Sequence, residues 1–245
     1  MRLQNIFVSK SNLIIPILFF SHVVVAQQGF KELYRENHDE QKIHFGIHIG
    51  AVRSHYNILH SPKFLLFDSI NVIESINSTG LNLAGLVNIR LGNHLDFRTY
   101  SLNLILTEKI LLYQLTKPDF GKKEDSLTSK KVSGVSLALP IEIKFKSDRI
   151  DNFRVYMLSG IRLEYDLAAN TGKKNNDDLV TLKKFDVALE GAIGFHFYLP
   201  FTVLTPEIKF SYGLRNVLTR ETNLKYANTI EDLRSSSILF SLTIE

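Results

Sequence analysis

From Ile43 to Ala51 apolar side chains occupy every second position: Ile43, Phe45, Ile47, Ile49 and Ala51 on one side, His44, Gly46, His48 and Gly50 on the other. A period of two marks an extended chain with two unlike faces, because successive Cβ atoms of a strand point to opposite sides. The pattern recurs seven more times. It runs through Leu81–Leu91 with Asn82, Asn88 and Arg90 on the polar side. A less regular stretch follows, with Tyr100, Leu102, Leu104 and Leu106 set against Thr99, Ser101 and Asn103. Val135 to Phe145 alternates with Ser136, Ala138, Glu142, Lys144 and Lys146, although Pro140 inside it argues against an unbroken ladder. Phe153–Leu167, Phe185–Tyr198, Leu204–Leu214 and Ser237–Ile244 complete the set.

Strands of roughly 9 to 14 residues exceed the 5–6 usual in soluble sheets and match the ≈ 9–11 that a tilted strand needs to cross a bilayer. The connections point the same way by alternating, at roughly 25, 3, 17, 6, 17, 4 and 20 residues. Short turns at one end and long loops at the other are the asymmetry of outer-membrane barrels, and an even strand count returns both termini to the periplasmic side. The expected fold is therefore all-β, an eight-stranded antiparallel transmembrane β-barrel with short periplasmic turns and long extracellular loops. A soluble lipocalin-like barrel would have the reverse sidedness, with its apolar face lining a cavity.

An eight-stranded barrel has an interior just wide enough for side chains to fill, so its polar face becomes an enclosed one. Enclosed charges must pair. The interior network expected from the alternation comprises Glu142, Lys144, Arg154, Arg162, Glu164, Asp166, Asp186, Glu190, Glu207 and Lys209. Counting across the intervening connections places Glu142 opposite Arg154, brings Arg162 near Glu190 and sets Lys209 diagonal to it.

The N-terminus carries an export pattern: Arg2 and Lys10 as the sole charges, an apolar run from Leu13 to Val25, and Val24-Val25-Ala26 before Gln27. The expected organisation is a signal peptide over 1–26, a periplasmic arm over 27–41 and a barrel over 42–245, in the outer membrane of a Gram-negative bacterium. Without the signal the net charge falls from +4 to a surplus of two basic residues, with no basic stripe of the kind that binds nucleic acid. The chain has no cysteine, which excludes disulfides, thiolate metal sites and a thiol nucleophile.

No motif announces a cofactor, a metal or a small-molecule substrate. His44 and His48 lie four apart, but along a strand that is about 13 Å, too far for one ion. His196, Ser211 and Glu207 could be drawn as a hydrolytic set; their heights along neighbouring strands disfavour it. Asn77-Ser78-Thr79 matches a glycosylation acceptor, which means little in a bacterial surface loop. The charged stretches Lys122–Lys131 and Lys173–Lys184 read as solvated loop tips, with lipopolysaccharide or protein contact as the alternative. The segment Phe64 to Ile76 is too apolar for a free loop. Its Phe64, Leu65, Phe67, Ile70 and Ile73 should pack over the barrel mouth or meet a partner.

Several strings in the C-terminal half carry a resemblance: Asn152-Phe153-Arg154 followed by Tyr156, Tyr165-Asp166-Leu167-Ala168-Ala169, Phe195-His196-Phe197-Tyr198-Leu199-Pro200, and Pro206-Glu207-Ile208-Lys209-Phe210-Ser211-Tyr212-Gly213-Leu214. With His44-Phe45-Gly46 they resemble the PorT family of outer-membrane barrels in the type IX secretion system. Val155 departs from the proline usual after the Asn-Phe-Arg string, and Ser159-Gly160 from a common glycine pair. The resemblance implies a non-enzymatic part in exporting cargo that bears a C-terminal sorting domain, and in gliding where it occurs. It also implies other secretion subunits, outer-membrane lipid and lipopolysaccharide as partners. The alternatives are a small barrel with a structural or adhesive role and a lipid-modifying barrel hydrolase.

Overall fold

The computed structural model of the chain describes residues 32–61, 70–115, 126–168, 182–219 and 229–245. The expected signal peptide, most of the two charged loop tips, and Phe64, Leu65 and Phe67 lie outside them. A short 3-10 turn, Glu36–Glu40, precedes nine strands: β1 (Ile43–His60), β2 (Ile70–Ile76), β3 (Ser78–Arg90), β4 (Leu95–Leu115), β5 (Leu127–Lys146), β6 (Phe153–Asp166), β7 (Phe185–Tyr198), β8 (Val203–Gly213) and β9 (Ile230–Ile244). Eight form a ring in the order β4-β3-β1-β9-β8-β7-β6-β5, and pairing of β5 back to β4 completes it. All pairings are antiparallel. The ninth, β2, continues the line of β3 beyond Asn77 and pairs with the far end of β4.

Residues 91–94, 147–152 and 199–202 make tight turns at one end of the ring. The Glu36–Glu40 turn and the end of β9 lie at that same end, and the long connections lie at the other. Between Lys146 and Phe153 the chain reverses over Ile150–Phe153, with Asp151 at φ 52°. This late reversal corrects one expectation. The register pairs Glu142 with Gly160, not with Arg154, because the turn is centred about three residues later than the Lys146–Asp151 stretch implies.

The expected sidedness holds through the lower part of the ring. Phe45 and Ile47 on β1 are 71% and 74% exposed, and Met157, Ile193, Ile208, Phe210 and Phe240 continue an outward apolar belt. Their strand neighbours His44, His48, Glu190, Glu207, Lys209 and Thr243 are buried inside. Sequence alternation misplaces Tyr100. It is buried with Asn103 while Ser101 and Leu102 between them both face out, because a bulge shifts the pairing with β3 between Gly85 and Leu86. The β4–β5 ladder is interrupted over the same stretch, and Pro140, which has no N–H to donate, sits at that gap. Its carbonyl accepts instead from the Thr99 hydroxyl at 2.8 Å.

The strands also run further than expected, with 21 residues in β4 and 20 in β5. About ten suffice to cross, so the upper halves stand clear of the hydrocarbon. There the sidedness reverses. Tyr56, Ile70, Ile73, Leu111, Tyr113, Leu115, Leu218, Ile230 and Leu233 form a buried apolar cluster inside the ring. Water outside this section favours an apolar interior, as in a soluble barrel. Ile70 and Ile73 take the first of the two expected places, packed over the barrel mouth. They are 2% and 4% exposed within this cluster at the mouth.

The belt yields a direct expectation. Ile193→Arg places a charge among Met157 and Ile208 and should cost about 2–4 kcal/mol if it lies near mid-membrane, read as a loss of unfolding free energy in urea from phospholipid vesicles.

Candidate functional site

The feature with chemistry is the lumen. Its middle layer joins four strands around Glu207 of β8: Arg98 of β4 donates to its carboxylate, as does the Tyr156 hydroxyl of β6. Lys209, two residues along and therefore on the same face, donates to Glu142 of β5 and lies 3.6 Å from Glu207 and 3.9 Å from Glu190. Arg98 is 0% exposed. A guanidinium without water is tolerable only with anionic and polar partners, here Glu207 and the Asn88 side-chain carbonyl at 3.1 Å. The Tyr156 ring lies 5.0 Å from the Arg98 guanidinium and covers Gly194, where a Cβ would run into the ring.

Towards the long-loop end, Arg162 of β6 bridges Glu190 and Glu164, each at 3.0 Å, and Ser211 donates to Glu190 at 2.7 Å. Asp186 accepts from the Ser235 hydroxyl, and Asp166 accepts from the Ala168 N–H at 2.8 Å. Towards the short-turn end, Lys144 and Lys146 of β5 hold Asp96 at 3.2 and 2.8 Å. Arg162 therefore meets Glu190, and Lys209 sits diagonal to it. Arg154 instead leaves the ring network and pairs at 3.0 Å with Asp39 of the N-terminal turn. Sequence alternation misses Arg98 and Asp96. The strand expected from alternation begins only at residue 99, although Leu95 and Phe97 already alternate with Asp96 and Arg98 just before it.

The drawn hydrolytic set does not assemble. The His196 Nδ1 is 2.8 Å from the Thr205 hydroxyl, Ser211 serves Glu190 and Arg162, and Glu207 is held by Arg98 and Tyr156. His48 contacts the Thr243 hydroxyl at 2.8 Å, apart from His44. Among the described residues, two small cavities lie within the lumen. One cavity of about 20 Å³ lies among Asn82, Asn103, Glu190 and Lys209, and one of about 30 Å³ lies higher beside Lys109 and Asp186, each near the size of a water.

The short-turn mouth is covered by the turn itself. Asp39 accepts from Arg154 and, at 2.8 Å, from the Tyr198 hydroxyl. Arg35 donates to the Phe201 and Glu245 carbonyls at 3.1 and 3.0 Å, and Tyr34 N–H donates to Asn152 at 2.9 Å. Arg149 stacks 3.7 Å over the Tyr198 ring. His38 points inward, its ring 4.3 Å from that of His44. Burial and, after it, the neighbouring His44 push the His38 imidazole down to about 4, so it is neutral at pH 7.

A sequence profile of the outer membrane protein beta-barrel domain matches residues 26–219. The chain belongs to this outer-membrane β-barrel family. Among curated proteins no sequence matches. Solved structures similar to this outer-membrane barrel include Neisserial surface protein A, at 12% identity and a TM-score of 0.40 over 83% of this chain and 99% of that one. OprG from Pseudomonas aeruginosa has 9% identity and a TM-score of 0.44, covering 81% and 94%. Ail, the attachment invasion locus protein of Yersinia pestis, solved with the heparin analogue sucrose octasulfate, has 11% identity and a TM-score of 0.39, covering 83% and 99%.

Removing one charge from the middle layer should reveal how the layer is balanced. Arg98→Met leaves Glu207 buried without its main cation and should cost about 3–5 kcal/mol of unfolding free energy. The double variant with Glu207→Gln should cost less than the two single changes added together, as urea titrations of the four proteins would show.

Proposed function

We propose that this outer-membrane barrel is a non-enzymatic accessory component of type IX secretion, needed for export of cargo with a C-terminal sorting domain. The observation that carries the reading is a lumen filled by paired side chains within a chain whose strands bear the PorT-like strings. A barrel so filled passes nothing the size of a protein, which leaves its surfaces as the working parts. In this reading the short turns and the Glu36–Glu40 turn face the periplasm, where other secretion subunits would meet them. The upper strands face outward beside lipopolysaccharide.

The runner-up is a structural or adhesive barrel, and one observation favours it. The upper half of β4, whose Leu111, Tyr113 and Leu115 pack on an apolar interior with β2 and β9, forms a firm platform beyond the membrane.

One experiment separates these readings and a second tests the orientation. Deleting the gene, with permeability checked and complementation as control, should move sorting-domain cargo from the medium to the periplasm; unchanged export would refute the secretion role and leave the adhesive one. Orientation is testable because the chain lacks cysteine. A membrane-impermeant maleimide applied to intact cells should label Ser126→Cys and spare Asn93→Cys, and the opposite result would invert the barrel.

A further inference from the structure

Three ligand-type side chains from three parts of the chain converge at the short-turn mouth: His38 from the N-terminal turn, His44 from the start of β1, and Glu245 directly after β9. One ligand atom from each lies within 4.8 Å of the others. We propose that His38, His44 and Glu245 bind a divalent transition-metal ion of the zinc type, which staples the N-terminal turn across the mouth of the barrel.

The donors suit such an ion. Two imidazoles and a carboxylate form a mixed N and O set of the kind that holds zinc, with the remaining position left for water. At zinc–ligand distances of 2.0–2.2 Å, donors in a tetrahedron stand about 3.4 Å apart. The trio must therefore contract modestly, and His38 sits on a short turn rather than in the ring.

The surroundings also fit. His38 and His44 are 8% and 7% exposed, and the Nδ1 atom of each has no hydrogen-bond partner among the described residues. Buried ring nitrogens without partners are costly unless something occupies them. The Glu245 side chain is 3% exposed, its carboxylate 4.0 Å from His38 Nε2. Its other oxygen accepts from the Asn88 side-chain amide at 3.3 Å, an outer contact that would fix the carboxylate's direction. The nearest cation of the turn, Arg35, directs its guanidinium at the Glu245 and Phe201 backbone carbonyls instead of this carboxylate. His44 finds its partners on other segments.

The test uses the full barrel folded in detergent, stripped with chelator and titrated with Zn²⁺ by calorimetry, with heat-modifiable gel migration reporting the fold of every variant. One equivalent should bind. Binding should be lost in His38→Ala, which lies outside the ring, and in Glu245→Gln, but kept in His94→Ala, a half-exposed histidine of the 91–94 turn. Zn²⁺ should also slow tryptic cleavage after Arg35 and Lys42 in the wild type and leave it unchanged in His38→Ala. The proposal is overturned if the folded wild type takes up no Zn²⁺, if His38→Ala binds it as well as the wild type, or if bound Zn²⁺ leaves the cleavage rate untouched.

Discussion

Everything in the lower part of this protein depends on charges that cannot reach bulk water. Arg98, Lys209, Glu142, Glu190 and Glu207 occupy one layer inside a ring whose outer face is Phe, Ile and Leu. Each would be prohibitively costly there alone, and each has an opposite charge within 4 Å. The partners come from β4, β5, β7 and β8, so the layer exists only when the ring is complete. Closure of the wall and compensation of the charges are the same event. The arrangement also ties side-chain identity to register, since a slip of one residue on any of these strands would turn its charges towards lipid.

The barrel passes through two solvents, and its side chains follow them. Where hydrocarbon lies outside, polar groups fill the lumen. Where the strands emerge, Tyr113, Leu111, Ile230 and Leu233 take the interior in their place. The two fillings meet near Tyr56, where the Lys109 ammonium lies 4.6 Å over the ring. The apolar cluster seals one mouth and the Glu36–Glu40 turn covers the other. A ring filled and covered in this way leaves its ends and outer wall as the surfaces available for contact.

The N-terminal turn is held through side chains rather than by a strand. Asp39, Arg35 and His38 each reach a different part of the ring's short-turn end. Such a tie can be strengthened or released without disturbing the ladder, whose strands pair independently of it.

The alternation of side chains determined the eight strands of the ring, the lipid-facing belt and most of the enclosed charges, because a period of two is a local property of extended chain; the short β2, in a stretch without it, was not legible. The pairing of Arg162 with Glu190 was legible too, since neighbouring strands and their sides follow from the pattern. Tertiary structure decided what depends on register. The late turn at Ile150–Phe153 gave Arg154 to Asp39 and not to Glu142, and the bulge beside Ser101 turned Tyr100 inward. It also decided where the strands end. Beyond the membrane the outer face is wet and the inner face apolar, so the lower alternation no longer marks the strand. The meeting of His38, His44 and Glu245 was invisible for a further reason: residues 200 apart in sequence become neighbours only when the ring closes and brings β9 beside β1.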